Sequence, residues 1–257
     1  MDSERRFGGI QRLYGQQAAT KINQSHIAII GIGGVGSWVA ESLARSHVGE
    51  LTLIDLDHIS ESNINRQIHA LTDTLGQAKI SAMAERIVAI NPACKTHLID
   101  DHLSIENVST LIDHRFNYVI DCIDEFRIKA ALIYYCKRQK IKVISVGGAG
   151  GRIDPTRIKV ADLTRAEGDA LLARTRKQLR VEYGFTRNLS RRFNIPCVYS
   201  SEALRYPTNN NETSLKKSEC TALTGLNCAN GYGSLSSVTA SFGMIASAYV
   251  LNKIATT

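Results

Sequence analysis

The stretch Ile27-Ala-Ile-Ile-Gly-Ile-Gly-Gly-Val-Gly-Ser37 decides the fold of this chain. A short apolar run that leads into a glycine turn and then a helical pattern is typical of the first strand, turn and helix of a nucleotide-binding α/β fold. Gly31, Gly33 and Gly36 have the spacing GxGxxG, and Gly34 is an additional glycine. In this spacing the first glycine permits a tight turn, the second lets a phosphate approach the backbone, and the third lets helix and strand pack closely. We therefore expect a phosphate at the N-terminus of the helix that follows.

Apolar strand patterns alternate with amphipathic helix patterns through the first 150 residues. This alternation predicts an α/β fold with a Rossmann-like, doubly wound and mostly parallel sheet, covered by helices on both faces. After residue 155 the pattern weakens to a strand, a basic helix and a second strand. We predict a single domain over residues 1–257, with a nucleotide-binding core at 1–155 and a C-terminal elaboration at 156–257. The expected strands are 27–31, 51–55, 96–100, 118–121, 142–146, 157–160 and 197–201, and the expected helices are 36–46, 76–90, 105–113, 127–139 and 166–183.

Composition points to an ordinary globular protein. Of the 257 residues 44% are hydrophobic and 21% are charged, which is typical of such proteins. No basic-then-apolar leader follows Met1, and the six cysteines show no close pairing, so we expect a cytoplasmic protein with reduced thiols.

The apolar stretch 234–254 has about the length of a membrane span. A helix buried at a subunit or domain contact is the favoured alternative, and no membrane partner is expected.

Polar residues follow the expected strands at the edge where open α/β sheets bind ligands. Asp55 ends a strand where a ribose hydroxyl would lie, and Asp57 adds a second carboxylate on the same side of the chain. Arg66 and Lys79 would neutralise a triphosphate, and Asp124 would hold Mg²⁺. Each of these charges taken singly also fits an ordinary helix end, but the set favours an ATP site over a dinucleotide site. The cluster also includes Asn63, Asn65 and Gln67.

These motifs together resemble the ubiquitin-activating-type adenylating superfamily, which includes enzymes that adenylate the C-termini of sulfur-carrier proteins. The resemblance covers roughly residues 6 to 150. It implies that Gly33 and Gly34 lie along the phosphates of ATP, that Asp55 binds the ribose, and that Asp124 lies by the metal or the α-phosphate. The segments that carry it are Gly31-Ile-Gly-Gly-Val-Gly36, Asp55-Leu-Asp57, Asn63-Ile-Asn-Arg-Gln67, Gly76-Gln-Ala-Lys79 and Asp121-Cys-Ile-Asp124.

Two departures from the superfamily pattern narrow the expectation. The two CxxC pairs that bind zinc in sulfur-carrier activators are missing here, so a thiolate zinc site is not supported. The family also uses an N-terminal arginine that reaches the ATP site of a partner subunit, which implies a homodimer. Gly9 falls where that arginine is expected, and Arg6 and Arg12 are the candidates.

Further segments along nearly the whole chain are similar to a bacterial branch of the superfamily that acts on tRNA. The resemblance implies ATP-dependent dehydration of N6-threonylcarbamoyladenosine beside the anticodon. The threonyl carboxylate would be adenylated, and the neighbouring ureido group would then close a ring and expel AMP. The segments are Arg6-Phe-Gly-Gly9, Arg12-Leu-Tyr-Gly15, Asn65-Arg-Gln-Ile-His-Ala70, Gly147-Gly-Ala-Gly-Gly-Arg-Ile-Asp-Pro155, Cys197-Val-Tyr-Ser-Ser-Glu202 and Cys228-Ala-Asn-Gly-Tyr-Gly233.

A basic segment suggests where tRNA would bind. The chain carries a net charge of +7, and seven cations stand against the single acid Glu182 in residues 174–192. This segment is either a solvated helix face or an electrostatic contact for RNA phosphates. The candidate tRNA-binding residues are Arg174, Arg176, Lys177, Arg180, Arg187, Arg191 and Arg192.

Other functions remain open at this point. Three alternatives are an activator of a sulfur-carrier protein, an NAD-dependent oxidoreductase and a nucleotide-sensing binding module. Cys228 would serve a sulfur-relay partner or the substrate site, and a buried structural cysteine is the simpler alternative. His69 is either a residue that supports the site or contacts RNA, or a structural histidine with satisfied hydrogen bonds.

Overall fold

The computed structural model describes residues 3–208, 210, 212–216 and 233–256. Its strands are His26–Ile30 (β1), Glu50–Ile54 (β2), Lys95–Ile99 (β3), Tyr118–Asp121 (β4), Val143–Val146 (β5), Ile158–Asp162 (β6), Pro196–Ser200 (β7), Tyr206–Pro207 (β8) and Thr213–Ser214 (β9). Its helices are Ser3–Tyr14 (α1), Gln16–Asn23 (α2), Gly36–Arg45 (α3), Lys79–Ile90 (α4), Val108–Leu111 (α5), Phe126–Arg138 (α6), Ala170–Glu182 (α7) and Ser236–Thr256 (α8). Cys220 and Cys228 lie outside the described residues.

A seven-stranded sheet forms the centre of the molecule, in the order β3-β2-β1-β4-β5-β7-β6. Every neighbouring pair is parallel except β6 and β7, which are antiparallel. The predicted doubly wound, mostly parallel sheet is therefore confirmed. Strands β6 and β7 belong to the predicted C-terminal elaboration and extend the same sheet. The strand order reverses between β1 and β4, and a ligand of an open α/β sheet binds at such a point.

Apolar residues on the two faces of the sheet form two separate cores. One core packs α3, α4 and α8 against the sheet and includes Val39, Met83 and Phe242. The other packs α6 and α7 against the opposite face and includes Leu132 and Leu179. The central strand β1 is buried from Ile27 to Ile30 and contributes to both cores. This burial on both faces explains why its sequence is a continuous apolar run.

The C-terminal apolar stretch forms α8 and packs on α2 and α3. Among the described residues α8 is the one helix that is long and apolar enough for a membrane span, and half of its apolar window is buried in the protein. Gly243 brings α8 close to α3, since a Cβ there would lie 2.8 Å from the Trp38 Cβ. Ser247 donates a hydrogen bond to the Ser42 hydroxyl at 2.7 Å. These contacts give the apolar residues of α8 a structural role within the domain.

Candidate functional site

The glycine turn joins β1 to α3 in a geometry that only glycine permits at two positions. Gly31 has a φ of +88°, a conformation that side-chain-bearing residues rarely adopt. A Cβ on Gly36 would lie 1.8 Å from the carbonyl oxygen of Gly31. A Cβ on Gly33, in contrast, would meet nothing within 4 Å. The space beside Gly33 is therefore open to a ligand, and the N-terminus of α3 points at it.

Asp55 lies directly beside this turn, at the end of β2. Its carboxylate accepts hydrogen bonds from the backbone N–H of Ile32 at 2.5 Å and from the backbone N–H of Asp57 at 2.9 Å. Burial raises the pKa of Asp55, and the nearby Lys79 ammonium opposes that shift. Two backbone donors and one cation therefore fix this carboxylate where it can accept a ribose hydroxyl.

Arg66 crosses the glycine turn from the other side. Its Cγ and Cδ lie 3.4 Å from the position that a Cβ on Gly34 would take. Its carbonyl oxygen accepts hydrogen bonds from Trp38 Nε1 at 3.0 Å and from the Thr239 hydroxyl at 3.3 Å, so that α3 and α8 hold its backbone. Its guanidinium donates to the carbonyl oxygen of Ser62 at 2.6 Å. The aliphatic part of this cationic side chain therefore packs beside Gly34, next to the opening at Gly33.

Lys79 begins α4 and supplies a second cation to this edge. Its Nζ lies 2.5 Å from the Asp57 carboxylate, with the lysine side chain 8% exposed and that of Asp57 73% exposed. The backbone N–H of Lys79 donates to the carbonyl oxygen of Asp57 at 3.0 Å. The structure therefore pairs Lys79 with a carboxylate rather than leaving its ammonium directed at a phosphate. An incoming phosphate would compete with Asp57 for that ammonium.

Asn63 is buried, whereas Asp124 is exposed. The side-chain oxygen of Asn63 accepts the backbone N–H of Ser60 at 3.1 Å. Asn63 therefore stabilises the loop that carries Arg66, which is a structural role in addition to the predicted ligand contact.

Asp124 is exposed just beyond β4, and β4 pairs with β1, the strand that leads into the glycine turn. An exposed carboxylate fits Mg²⁺, which typically takes one or two protein carboxylates and completes its shell with phosphates and water.

A buried ion pair that was not predicted from the sequence lies beneath this edge. Lys129 Nζ lies 2.8 Å from the carboxylate of Asp121, and both side chains are fully buried. Ser145 donates to the same carboxylate at 2.7 Å. The other carboxylate oxygen accepts the backbone N–H of Ile123 at 3.1 Å. Asp121 therefore holds the chain that leads to Asp124. A lysine in an otherwise apolar helix face was the signal available in the sequence.

His69 is buried near Lys79, and neither ring nitrogen has a hydrogen-bond partner among the described residues. Among the residues that the structure describes, His69 therefore does not have the satisfied hydrogen bonds expected of a structural histidine. Burial lowers the pKa of His69 to about 4, and the positive charges of Lys79 and Arg86 add to the shift. The ring is neutral at pH 7 as a result.

The two candidate N-terminal arginines differ in their contacts. Arg6 donates to the carbonyl oxygen of Ile90 at 2.8 Å and thereby caps the C-terminus of α4. This end of α4 is remote from Lys79, which begins the helix. Arg12 is exposed on α1, and its guanidinium has no hydrogen bond or ion pair within the described part of the chain. Among the described residues, Arg6 therefore has a polar partner within its own chain, whereas Arg12 does not.

The basic segment separates into inward and outward cations. Arg176 donates to the carbonyl oxygens of Leu163 at 3.1 Å and Ala166 at 2.6 Å, and burial lowers its pKa. The Arg180 guanidinium lies 5.4 Å from the centre of the Phe193 ring. Arg176 and Arg180 were predicted to bind tRNA, but they face the protein interior and stabilise the packing of α7. The exposed members are Arg174, Lys177, Arg187, Arg191 and Arg192.

A glycine turn at the switch point of a doubly wound sheet, with a fixed carboxylate and cations around it, defines a nucleotide-binding α/β protein. A model of the ThiF family matches residues 8–256, and the chain belongs to this family. A tRNA threonylcarbamoyladenosine dehydratase of Haemophilus influenzae is 48% identical over 251 residues, which are 98% of this chain and 94% of that protein.

Solved structures point to the same relatives. The structure of E. coli tRNA N6-threonylcarbamoyladenosine dehydratase in complex with ATP is 43% identical to this chain, with a TM-score of 0.86. The alignment covers 98% of this chain and 94% of that one. A molybdopterin-synthase adenylyltransferase of Haemophilus influenzae is 34% identical but matches only 52% of this chain.

Proposed function

We propose that this protein is an ATP-dependent tRNA threonylcarbamoyladenosine dehydratase. The observation that carries the proposal is the extent of the similarity. It spans 98% of the chain for the dehydratase of Haemophilus influenzae, against 52% for the molybdopterin-synthase adenylyltransferase of the same organism. The substrate-binding part of the molecule is therefore similar to that of the dehydratases, and the nucleotide core is not the only shared region.

The reaction has two steps whose atoms balance. A carboxylate oxygen of the threonyl group attacks the α-phosphorus of ATP, and pyrophosphate leaves. The ureido group beside the acyl adenylate then attacks the activated carbonyl carbon, loses a proton and closes a ring, and AMP leaves with the carboxylate oxygen. The modified base thereby loses the elements of one water molecule. No covalent bond to the protein is required.

The residues of the site suit this chemistry because its main difficulty is to bring two anions together. Asp55 orients the ribose, and the open space beside Gly33 admits the phosphates. Arg66 stabilises the charge that develops on the α-phosphate as pyrophosphate leaves. Lys79 exchanges Asp57 for a phosphate oxygen when ATP binds. Asp124 would hold Mg²⁺, which neutralises phosphate charge when bound.

We also propose that the active protein is a homodimer in which Arg12 contributes to the partner's ATP site. The exposed position of Arg12 supports this, as does the 76% exposure of Leu13 beside it. Mixing the inactive variants Arg12→Ala and Arg66→Ala tests the proposal. Random pairing in a two-fold dimer leaves one intact site in half of the dimers, so about a quarter of wild-type activity should return. No recovery after subunit exchange contradicts a shared site.

The tRNA contact is assigned in the same way to the five exposed cations of the basic segment. Arg174 and Lys177 are exposed on α7, where the Arg174 guanidinium also lies 4.7 Å from the centre of the Phe126 ring, and the three arginines at 187–192 follow α7 in the chain. Lysine and arginine contacts to phosphates release counterions, so binding should weaken steeply with salt. The inward Arg176 and Arg180 serve as matched controls, since their loss removes a cation but no surface contact.

We further propose a cytoplasmic location. The described cysteines Cys94, Cys122, Cys136 and Cys197 are free thiols. Burial raises the pKa of each to about 12, so none is a reactive thiolate at neutral pH. Of the six cysteines, Cys220 and Cys228 are therefore the candidates for contact with a sulfur-relay partner.

Release of pyrophosphate tests the proposed substrate. Protein with Mg-ATP should release it when tRNA carrying threonylcarbamoyladenosine is added, and not with the same tRNA lacking the modification. Release that requires a small protein with a C-terminal glycine would instead identify an activator of sulfur carriers.

A further inference from the structure

Three polar side chains meet on one face of the sheet, at the edge opposite the nucleotide site. His26 and Glu50 are the first residues of β1 and β2 and are register partners in the parallel pair. His97 lies in β3 opposite Thr52 of β2. Alternate residues of a strand share a face, so Glu50 and Thr52 point the same way. The sheet itself thereby places His26, Glu50 and His97 side by side.

The potential ligand atoms of these residues converge on one point. Glu50 Oε1 lies 2.6 Å from His97 Nε2 and 3.4 Å from His26 Nδ1. One ligand atom from each residue lies within 4.8 Å of the others. Two imidazoles and one carboxylate are the protein ligands of many open zinc sites, which keep a fourth position for water or substrate.

Thr52 fixes the orientation of the most buried member. Its hydroxyl lies 2.8 Å from His26 Nε2. An N–H on Nε2 that donates to this hydroxyl leaves the lone pair on Nδ1, the nitrogen that faces Glu50. The ring also packs edge-on against Phe116, at a centroid distance of 4.8 Å. Hydrogen-bond partners of this kind set the tautomer and direction of histidine ligands in metal sites.

The three side chains open into a groove of about 560 Å³, which Gln24, Thr52, Arg115 and Asn117 also line. The charge of the Arg115 guanidinium opposes a cation here. It is partly neutralised by Asp113, whose carboxylate lies 3.4 Å from Arg115 Nε. The groove leaves the fourth position of a metal ion accessible from solvent.

We propose that His26 Nδ1, the Glu50 carboxylate and His97 Nε2 bind one Zn²⁺ ion, with the fourth position facing the groove. The site is separate from the nucleotide site, because it lies at the amino ends of the strands whose carboxyl ends form that site. The ion links β1, β2 and β3, so its binding stabilises the folded state by mass action. A bound ion would replace the Glu50–His97 hydrogen bond, because ligand atoms of one Zn²⁺ lie further apart than 2.6 Å.

Calorimetric titration of untagged, chelator-treated protein with ZnCl₂ in the presence of excess Mg²⁺ tests the proposal. One ion should bind per chain, and binding should raise the melting temperature. His97→Ala and Glu50→Gln should each weaken Zn²⁺ by at least about a hundredfold, and Thr52→Val by about tenfold to a hundredfold. His102→Ala serves as the control, since His102 is exposed beyond β3 and should leave the affinity unchanged.

Two further measurements keep the result interpretable. ATP affinity should be unchanged in every variant, which shows that each one is folded. The absorption spectrum of the Co²⁺ form should contain ligand-field bands and no thiolate charge transfer. A thiolate band, wild-type Zn²⁺ affinity in His97→Ala, or no stoichiometric binding to the wild-type protein would overturn the proposal.

Discussion

Two alanine substitutions in the glycine turn should separate stability from ATP binding, because Gly36→Ala should lower stability and Gly33→Ala should weaken ATP binding. A Cβ on Gly36 would lie 1.8 Å from the carbonyl oxygen of Gly31, well inside the 3.4 Å at which ordinary contact begins. The Cβ is fixed to the backbone of residue 36, and the oxygen is part of the backbone of Gly31. Because neither atom can rotate away, α3 must move off the sheet. Overpacking of a buried contact costs about 1–3 kcal/mol, and we expect Gly36→Ala to cost at least about 3 kcal/mol because no side chain can yield.

Gly33→Ala is the matched control for stability. Its Cβ would meet nothing within 4 Å, and Gly33 is not among the glycines with positive φ. The variant should fold with wild-type stability or gain about 0.4–1 kcal/mol from the lower entropy of its unfolded chain. The same methyl group would occupy the space assigned to the phosphates. We expect ATP to bind at least tenfold more weakly, a loss of about 1.4 kcal/mol or more.

Urea denaturation followed by circular dichroism measures the first effect. Trp38, the single tryptophan of the chain, lies in α3 and gives a local fluorescence signal. Calorimetric titration with ATP measures the second effect. Wild-type ATP affinity in Gly33→Ala would refute the placement of the phosphates beside this residue. Wild-type stability in Gly36→Ala would refute the argument from close packing.

Three further predictions follow from buried and exposed charges. Lys129→Met alone should cost about 3–5 kcal/mol because it leaves the Asp121 charge buried without a partner, and Asp121→Asn in the same chain should restore most of that loss in urea denaturation. His69 has a folded pKa of about 4, below the 6.5 of an unperturbed histidine. The unfolded chain therefore takes up a proton first, and between pH 6.5 and 4 the wild type should lose about 3 kcal/mol relative to His69→Leu. An equal pH dependence of the two unfolding free energies would contradict this. Arg191→Glu should lower the slope of log affinity for tRNA against log salt by about one, whereas Arg176→Gln should lower stability and leave that slope unchanged.

The nucleotide-binding core is predictable from the sequence because its signals are local. The apolar run of β1 is buried on both faces, and the glycine spacing is set by contacts within one turn. The predicted strand at 118–121 matches β4, and the other core strands differ by one residue at their ends. Asp55 is likewise placed by its position directly after a strand.

Contacts between distant segments were not predictable in the same way. The basic pattern of residues 174–192 does not reveal that Arg176 bonds to the carbonyl oxygens of Leu163 and Ala166. The ion pair of Lys129 with Asp121 depends on how α6 packs against the sheet. The cluster of His26, Glu50 and His97 depends on the register of β1, β2 and β3, which local sequence patterns do not reveal. Helices α1 and α2 were also not predicted.

We expect the protein to dehydrate threonylcarbamoyladenosine in tRNA at the site formed by the glycine turn and Arg66. Mass spectrometry of nucleosides tests it most directly, after incubation of threonylcarbamoyl-modified tRNA with the protein, with and without Mg-ATP. We predict that the modified adenosine loses the mass of one water molecule only when ATP is present, and that Arg66→Ala abolishes the change. An unchanged mass with wild-type protein that binds ATP would contradict the proposed reaction, and a full mass change with Arg66→Ala would contradict the proposed site.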